Sequence, residues 1–216
     1  MNKKYLIIIF VIIIFTLSFA RSFLGLLGII PWQYGYSDVY NADRIASFSA
    51  EKIPYINTSI EYPILTGFFI YLNWYFGKSL EGYIFLTYIF LTIFAVITAL
   101  ILFKTIKLLK MEEKNIWRFF VFGPSLLVFG VYNWDIMAVM FAVTAFYFFL
   151  KEKYGLAALA LALGFNAKIF PIIFLPIMMF KVDLKKALKM LVVFTIICIV
   201  INSYFMFHDF NSCVLL

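Results

Sequence analysis

Asp38 stands in Gly35-Tyr36-Ser37-Asp38-Val39-Tyr40, directly after the first long apolar stretch, and opens a polar loop that runs to Glu61. A carboxylate at the mouth of a membrane helix is costly to keep without a task, and it suits chemistry at the membrane surface. Two later interruptions of apolar runs carry complementary groups: Asn133-Trp134-Asp135 and Asn166-Ala167-Lys168. Together with Asp38 they put acid and base beside one carboxylate-bearing loop, as a site would require. Asp43, Arg44 and Glu61 complete this polar set. Arg21, late in the first apolar run, adds a cation able to snorkel or to pair with a lipid phosphate.

Each residue also has a plainer reading. Asp38 reads equally as the N-cap of a helix over 39–50, stabilising it by about 1 kcal/mol. Asp135 can cap the helix that follows it, and Glu61 and Lys168 can be ordinary interfacial charges. As a set they are harder to dismiss. The apolar segments beside the hinges hold roughly 13–16 residues, too few to cross about 30 Å of hydrocarbon comfortably. The hinges then sit below the membrane surface, where an unpaired charge costs roughly 2.5–3.5 kcal/mol or more.

The elements that must position these residues follow from composition. The chain is 65% hydrophobic and 13% charged, with 28 Phe and 14 Tyr, and its mean hydropathy is +1.02. A soluble domain carries about 25% charged residues. Bilayer is the solvent, and the absence of any period-two alternation excludes a barrel. An all-α, polytopic membrane bundle of seven or eight apolar helices is expected, as a single transmembrane domain over residues 1–216. The segments fall at residues 5–29, 62–77, 82–103, 117–132, 134–150, 155–167, 169–180 and 188–207. The first outer loop carries a short interfacial helix over 39–50, ended by Pro54.

The net charge of +7 does not call for nucleic acid. Most basic residues lie in four clusters, Lys3–Lys4, Lys104–Arg118, Lys151–Lys153 and Lys181–Lys189, and most acids lie outside them, which is the positive-inside pattern. It puts the Asp38 loop, Asp135 and Lys168 on the non-cytoplasmic side. Parity then requires that 62–77 dip into the membrane and return, or lie within the outer leaflet. Ser18-Phe19-Ala20 follows the apolar core as in a signal peptide, but the apolar run continues past Arg21, so a retained anchor is expected. Cys198 and Cys213 form no disulfide framework or zinc spacing. No dinucleotide fingerprint, P-loop or H-E-x-x-H motif occurs, and His208 is isolated. A transferase fed by sugar nucleotides would carry a nucleotide-binding domain, so a donor already in the membrane is expected.

Tyr36-Ser37-Asp38-Val39-Tyr40, Lys52-Ile53-Pro54-Tyr55 and Glu61-Tyr62-Pro63-Ile64-Leu65 together resemble the first outer loop of polyprenyl-phosphate-sugar-dependent mannosyltransferases of the GT-C fold. The likeness is to glycosyltransferase family 87 and to the catalytic subunit of the first GPI mannosyltransferase. Asn133-Trp134-Asp135, Lys151-Glu152-Lys153 and Gly164-Phe165-Asn166-Ala167-Lys168-Ile169-Phe170-Pro171, with Pro176, resemble the second landmark, an Asn-x-Asp, a basic turn and a Lys-x-x-Pro.

The resemblance implies a membrane transferase that moves a hexose, mannose above others, from a polyprenyl-phosphate donor to a hydroxyl of a glycan or glycolipid acceptor, with inversion. Asp38 would be the general base, and Lys168, with Arg44 or Arg21, would hold the leaving phosphate. Asp43, Glu61, Tyr62, Asn133 and Asp135 would bind donor or acceptor. It also implies residence in the cell membrane, or in the endoplasmic reticulum of a eukaryote. Tyr40 replaces the second carboxylate of the GPI enzyme's Asp-x-Asp, leaving Asp38 and Asp43 as the pair for a divalent cation. The family usually continues for further spans, so Asn211-Ser212-Cys213-Val214-Leu215-Leu216 reads as the end of the N-terminal part of the module. A transporter would show charges at the bilayer midplane and related halves, and neither is evident. A non-catalytic subunit or truncated inactive homologue remains the other alternative.

Overall fold

The computed structural model describes residues 3–40, 53–56, 58 and 60–208. Asp43, Arg44 and most of the helix expected over 39–50 lie outside them. Among the described residues the chain is helical without a strand, apart from one isolated bridge between Pro54 and Thr58. In order come α1 (Lys3–Leu26), the four-residue α2 (Trp32–Gly35) and a 3-10 turn at Asp38–Tyr40. After the loop follow α3 (Ile64–Gly77), α4 (Leu80–Leu108), the single turn α5 (Lys114–Ile116) and α6 (Pro124–Phe129). The chain continues through α7 (Asp135–Leu150), α8 (Tyr154–Ala167), a 3-10 turn at Phe170–Ile173, α9 (Phe174–Met179) and α10 (Leu184–His208).

Among the described residues two helices, α1 and α4, are long and apolar enough to cross a membrane, short of the seven or eight apolar helices expected, and α7, α8 and the 170–179 stretch are shorter apolar helices. The α4 helix, 29 residues, extends roughly 43 Å at 1.5 Å per residue. By the same rise α3, 14 residues, reaches roughly 21 Å, less than the hydrocarbon thickness. It is one continuous helix, so the chain does not dip and return within it. The expected block over 117–132 is broken instead of continuous. A π-turn at Trp117–Val121 closes with Phe122 N–H donating to the Trp117 carbonyl at 2.9 Å. Pro124 then starts α6, because a proline without an N–H is tolerated only in the first turn of a helix.

The contacts divide into two compact units, Met1–Ser47 with Phe76–Ile136, and Phe48–Tyr75 with Met137–Leu216. In the first unit α1 packs along α4. Ile7, Val11, Phe15, Ser18, Ser22 and Gly25 are its buried residues, spaced three and four apart as one helical stripe. The Lys3 ammonium meets the Glu113 carboxylate at 2.9 Å, so the start of α1 and the end of α4 share one end of the unit. The 38–40 turn packs against α4 at the other.

In the second unit α8 packs on α10 through a surface rich in small residues, including Ala157, Ala158, Ala160 and Ala162, with Met190 and Phe194 in the same core. Small side chains let helix backbones approach where lipid gives no hydrophobic drive to pair. Lys186 lies over the Tyr154 ring and Asn202 bonds Asn166, so the two helices run parallel. Elsewhere large apolar side chains face outward, Phe119 at 72% and Phe180 at 89% exposure. Such rings suit lipid contact, not water.

Candidate active site

The Asp38 locus is assembled within the first unit. After α1 the chain turns at Gly28, with φ at +69°, and α2 folds back over the end of α1. Gly25 and Gly35 meet backbone to backbone, and a Cβ on either would strike the other. Arg21 staples this return: its guanidinium donates to the Tyr34 carbonyl at 2.6 Å and to the Val128 carbonyl at 2.7 Å. The arginine read from sequence as a lipid-phosphate partner therefore binds two backbone segments. Its side chain fixes the loop.

The next strap residues are fastened to the turn that precedes α7. Ser18 Oγ accepts from Val131 N–H at 3.2 Å. The buried Ser37 hydroxyl donates to the Val131 carbonyl at 2.6 Å and accepts from Val39 N–H at 3.2 Å. Asp38 N–H donates to the Tyr132 carbonyl at 2.7 Å. The structure thereby brings Asp38 beside the turn that leads into Asn133 and Asp135, joining two separated motifs. Asn133 Oδ1 accepts from Asp135 N–H at 3.0 Å, a local Asx turn that sets the start of α7. Asp135 occupies the first turn of that helix, where its charge suits the positive end of the dipole.

The Asp38 carboxylate has a defined neighbour: the Tyr36 hydroxyl donates to Oδ1 at 2.7 Å. Both side chains are half-buried. Neither Tyr36 nor Ser37 stood among the candidate residues read from sequence. Tyr40, two residues on, faces the protein interior at 2% exposure, and burial followed by the nearby Tyr83 pushes its phenol well above the usual range. Position 40 is a core position here.

A second locus lies within the other unit. Glu61, Tyr62 and Pro63, before α3, and Lys168, Ile169 and Phe170, after α8, line a cavity of about 280 Å³. Three sequence candidates thus share one pocket. Its two walls are tied by the buried Thr66 hydroxyl, which donates to the Ala167 carbonyl at 2.6 Å. Lys168 ends α8 in an extended conformation, φ −159° and ψ 148°, which projects it out of the helical register, and Pro171 then opens the 3-10 turn. The Tyr55 hydroxyl donates to the Tyr62 carbonyl at 2.7 Å and so supports the pocket rim.

Asp38 lies at the end of its unit opposite the basic 104–118 segment, and Lys168 lies at the end of α8 opposite Lys151 and Lys153. Among the described residues no three His, Cys, Asp or Glu side chains gather into a metal-holding group. Asp43, the cation partner given to Asp38 from sequence, lies outside them.

The sequence model of glycosyltransferase family 87 matches residues 61–212, more than two thirds of the chain. Glu61, Tyr62, Asn133, Asp135 and Lys168 fall within that stretch, and Asp38 precedes it. No curated protein and no solved structure matches the chain. The helical architecture, the lipid-suited helices and this match agree, and the chain belongs to glycosyltransferase family 87, a membrane glycosyltransferase of the GT-C type.

Proposed function

We propose that the chain transfers a hexose, mannose above others, from a polyprenyl-phosphate donor to an acceptor hydroxyl, with inversion, on the non-cytoplasmic side of the membrane. The observation that carries this reading is the Asp38 carboxylate, held by Tyr36 and fastened through its own backbone to Tyr132. Asp38 accepts the proton of the acceptor hydroxyl as that oxygen forms its bond to the anomeric carbon. The bond from that carbon to the lipid phosphate breaks, and the electron pair leaves with the phosphate. Phosphate is stable as an anion, so no strong acid is needed at the leaving group.

Lys168 supplies positive charge to the phosphate as the bond breaks. Glu61 and Tyr62, which share its pocket, bind sugar or acceptor hydroxyls, and Asn133 and Asp135 do the same beside Asp38. The basic clusters at the opposite end of each unit favour a cytoplasmic position for those ends, which leaves Asp38 and Lys168 on the far side.

Donor class is the direct test. Membranes containing the chain are given radiolabelled polyprenyl-phosphate mannose or the corresponding sugar nucleotide, the latter with lipid-donor synthesis blocked. Label should enter acceptor material from the lipid donor alone. Equal incorporation from the nucleotide would overturn the reading.

A further inference from the structure

We propose that Tyr36 is the positioning residue of the general base: its hydroxyl fixes the Asp38 carboxylate in the orientation that takes the acceptor proton. The inference rests on the proposed role of Asp38. Its first support is local geometry. Tyr36 has polyproline-like backbone angles, φ −55° and ψ 138°, and the chain then tightens into the 3-10 turn at Asp38–Tyr40. Across this bend the Tyr36 hydroxyl reaches the Asp38 carboxylate, while the Ser37 hydroxyl between them bonds the carbonyls of Val131 and Tyr132. The 2.7 Å separation is that of a strong hydroxyl–carboxylate hydrogen bond.

The second support is that the tyrosine is itself held. Its ring packs on Tyr132 at 5.4 Å between centroids, and Tyr132 packs on Phe129 at 5.6 Å. Tyr132 also accepts the Asp38 N–H through its carbonyl. One residue thus anchors both the backbone of Asp38 and the ring that orients its carboxylate. A carboxylate bonded at one oxygen loses free rotation about Cβ–Cγ. General-base transfer needs that restraint, because the accepting lone pair must face the hydroxyl as the new bond forms.

A plain structural clasp would look the same in coordinates but not in kinetics. Tyr36→Phe removes the hydroxyl and keeps the ring on Tyr132. The experiment measures mannose transfer from radiolabelled polyprenyl-phosphate mannose by full-length wild type, Tyr36→Phe, Asp38→Asn and the double variant, with thermal unfolding of each. Tyr36→Phe should lower kcat roughly tenfold with the donor KM unchanged, the scale of one lost orienting bond. On the Asp38→Asn background it should change residual turnover no further, since the group it acts through is gone.

Wild-type turnover by Tyr36→Phe beside a crippled Asp38→Asn would overturn the positioning role alone. So would the same fractional loss in both backgrounds, which is how a general loss of folding reads. Wild-type turnover by Asp38→Asn would instead remove the general-base reading, and this inference with it.

Discussion

Tyr40, at the end of the Asp38 turn, and Thr87, in α4, carry buried hydroxyls with no hydrogen-bond partner among the described residues. Tyr40 is 2% exposed and Thr87 is fully buried. In α4, Thr92, Thr98 and Thr105 each donate to the carbonyl four residues back, and Thr87 does not. An unsatisfied buried hydroxyl costs about 1–3 kcal/mol. Tyr40→Phe should therefore hold or raise stability by about 1 kcal/mol, read as an equal or higher melting temperature in detergent. A clear fall in melting temperature would show that the hydroxyl has a partner. Asp38, Asn133, Asp135 and Lys168 announce themselves as polar groups within apolar runs. Tyr36 does not, because its bond to Asp38 depends on the backbone angles of three residues, and a tyrosine among 14 is unmarked. The Arg21 bonds to the Tyr34 and Val128 carbonyls were equally unmarked. A cation near a membrane surface suits lipid phosphate, but backbone carbonyls freed where helices end are equally good acceptors.

The elements were legible where proline, glycine and charge mark their ends. The break after α8 follows from Lys168 and Pro171, and the start of α4 from Ser79, whose Oγ accepts from Gly82 N–H at 3.1 Å. The π-turn at Trp117–Val121 left no mark in the sequence pattern, since Trp117, Phe119, Phe120 and Val121 suit a helix as well as they suit this turn. Inside the second unit, Gly67 meets the Tyr55 ring so closely that a Cβ there would strike its hydroxyl and ring carbons. Tyr55 in turn braces the Tyr62 carbonyl at the rim of the Glu61–Lys168 pocket. Gly67→Ala must push that ring aside, at about 1–3 kcal/mol of overpacking. The expected outcome is a lower melting temperature together with a raised donor KM and a kcat changed far less. An unchanged KM would separate the pocket from donor binding.

For the molecule as a whole, composition alone called for helices in lipid, and within each unit taken by itself a basic segment lies away from the candidate residue. In the first unit the Lys3–Glu113 pair marks the end away from Asp38. In the second, Lys153 and Lys168 sit at opposite ends of α8. Family membership follows from residues 61–212, whereas the role of Asp38 rests on motif order and on its fastening to Tyr132. What sequence could not supply was that fastening, because residues 37 and 131 are distant in the chain and join through a serine hydroxyl and backbone carbonyls. The general-base claim is tested most directly by mannose transfer from a radiolabelled polyprenyl-phosphate donor in membranes containing wild type or Asp38→Asn at equal abundance. Loss of a general base is expected to cut turnover roughly 10²–10⁴-fold while donor binding is largely kept; equal incorporation by the two proteins would contradict the account.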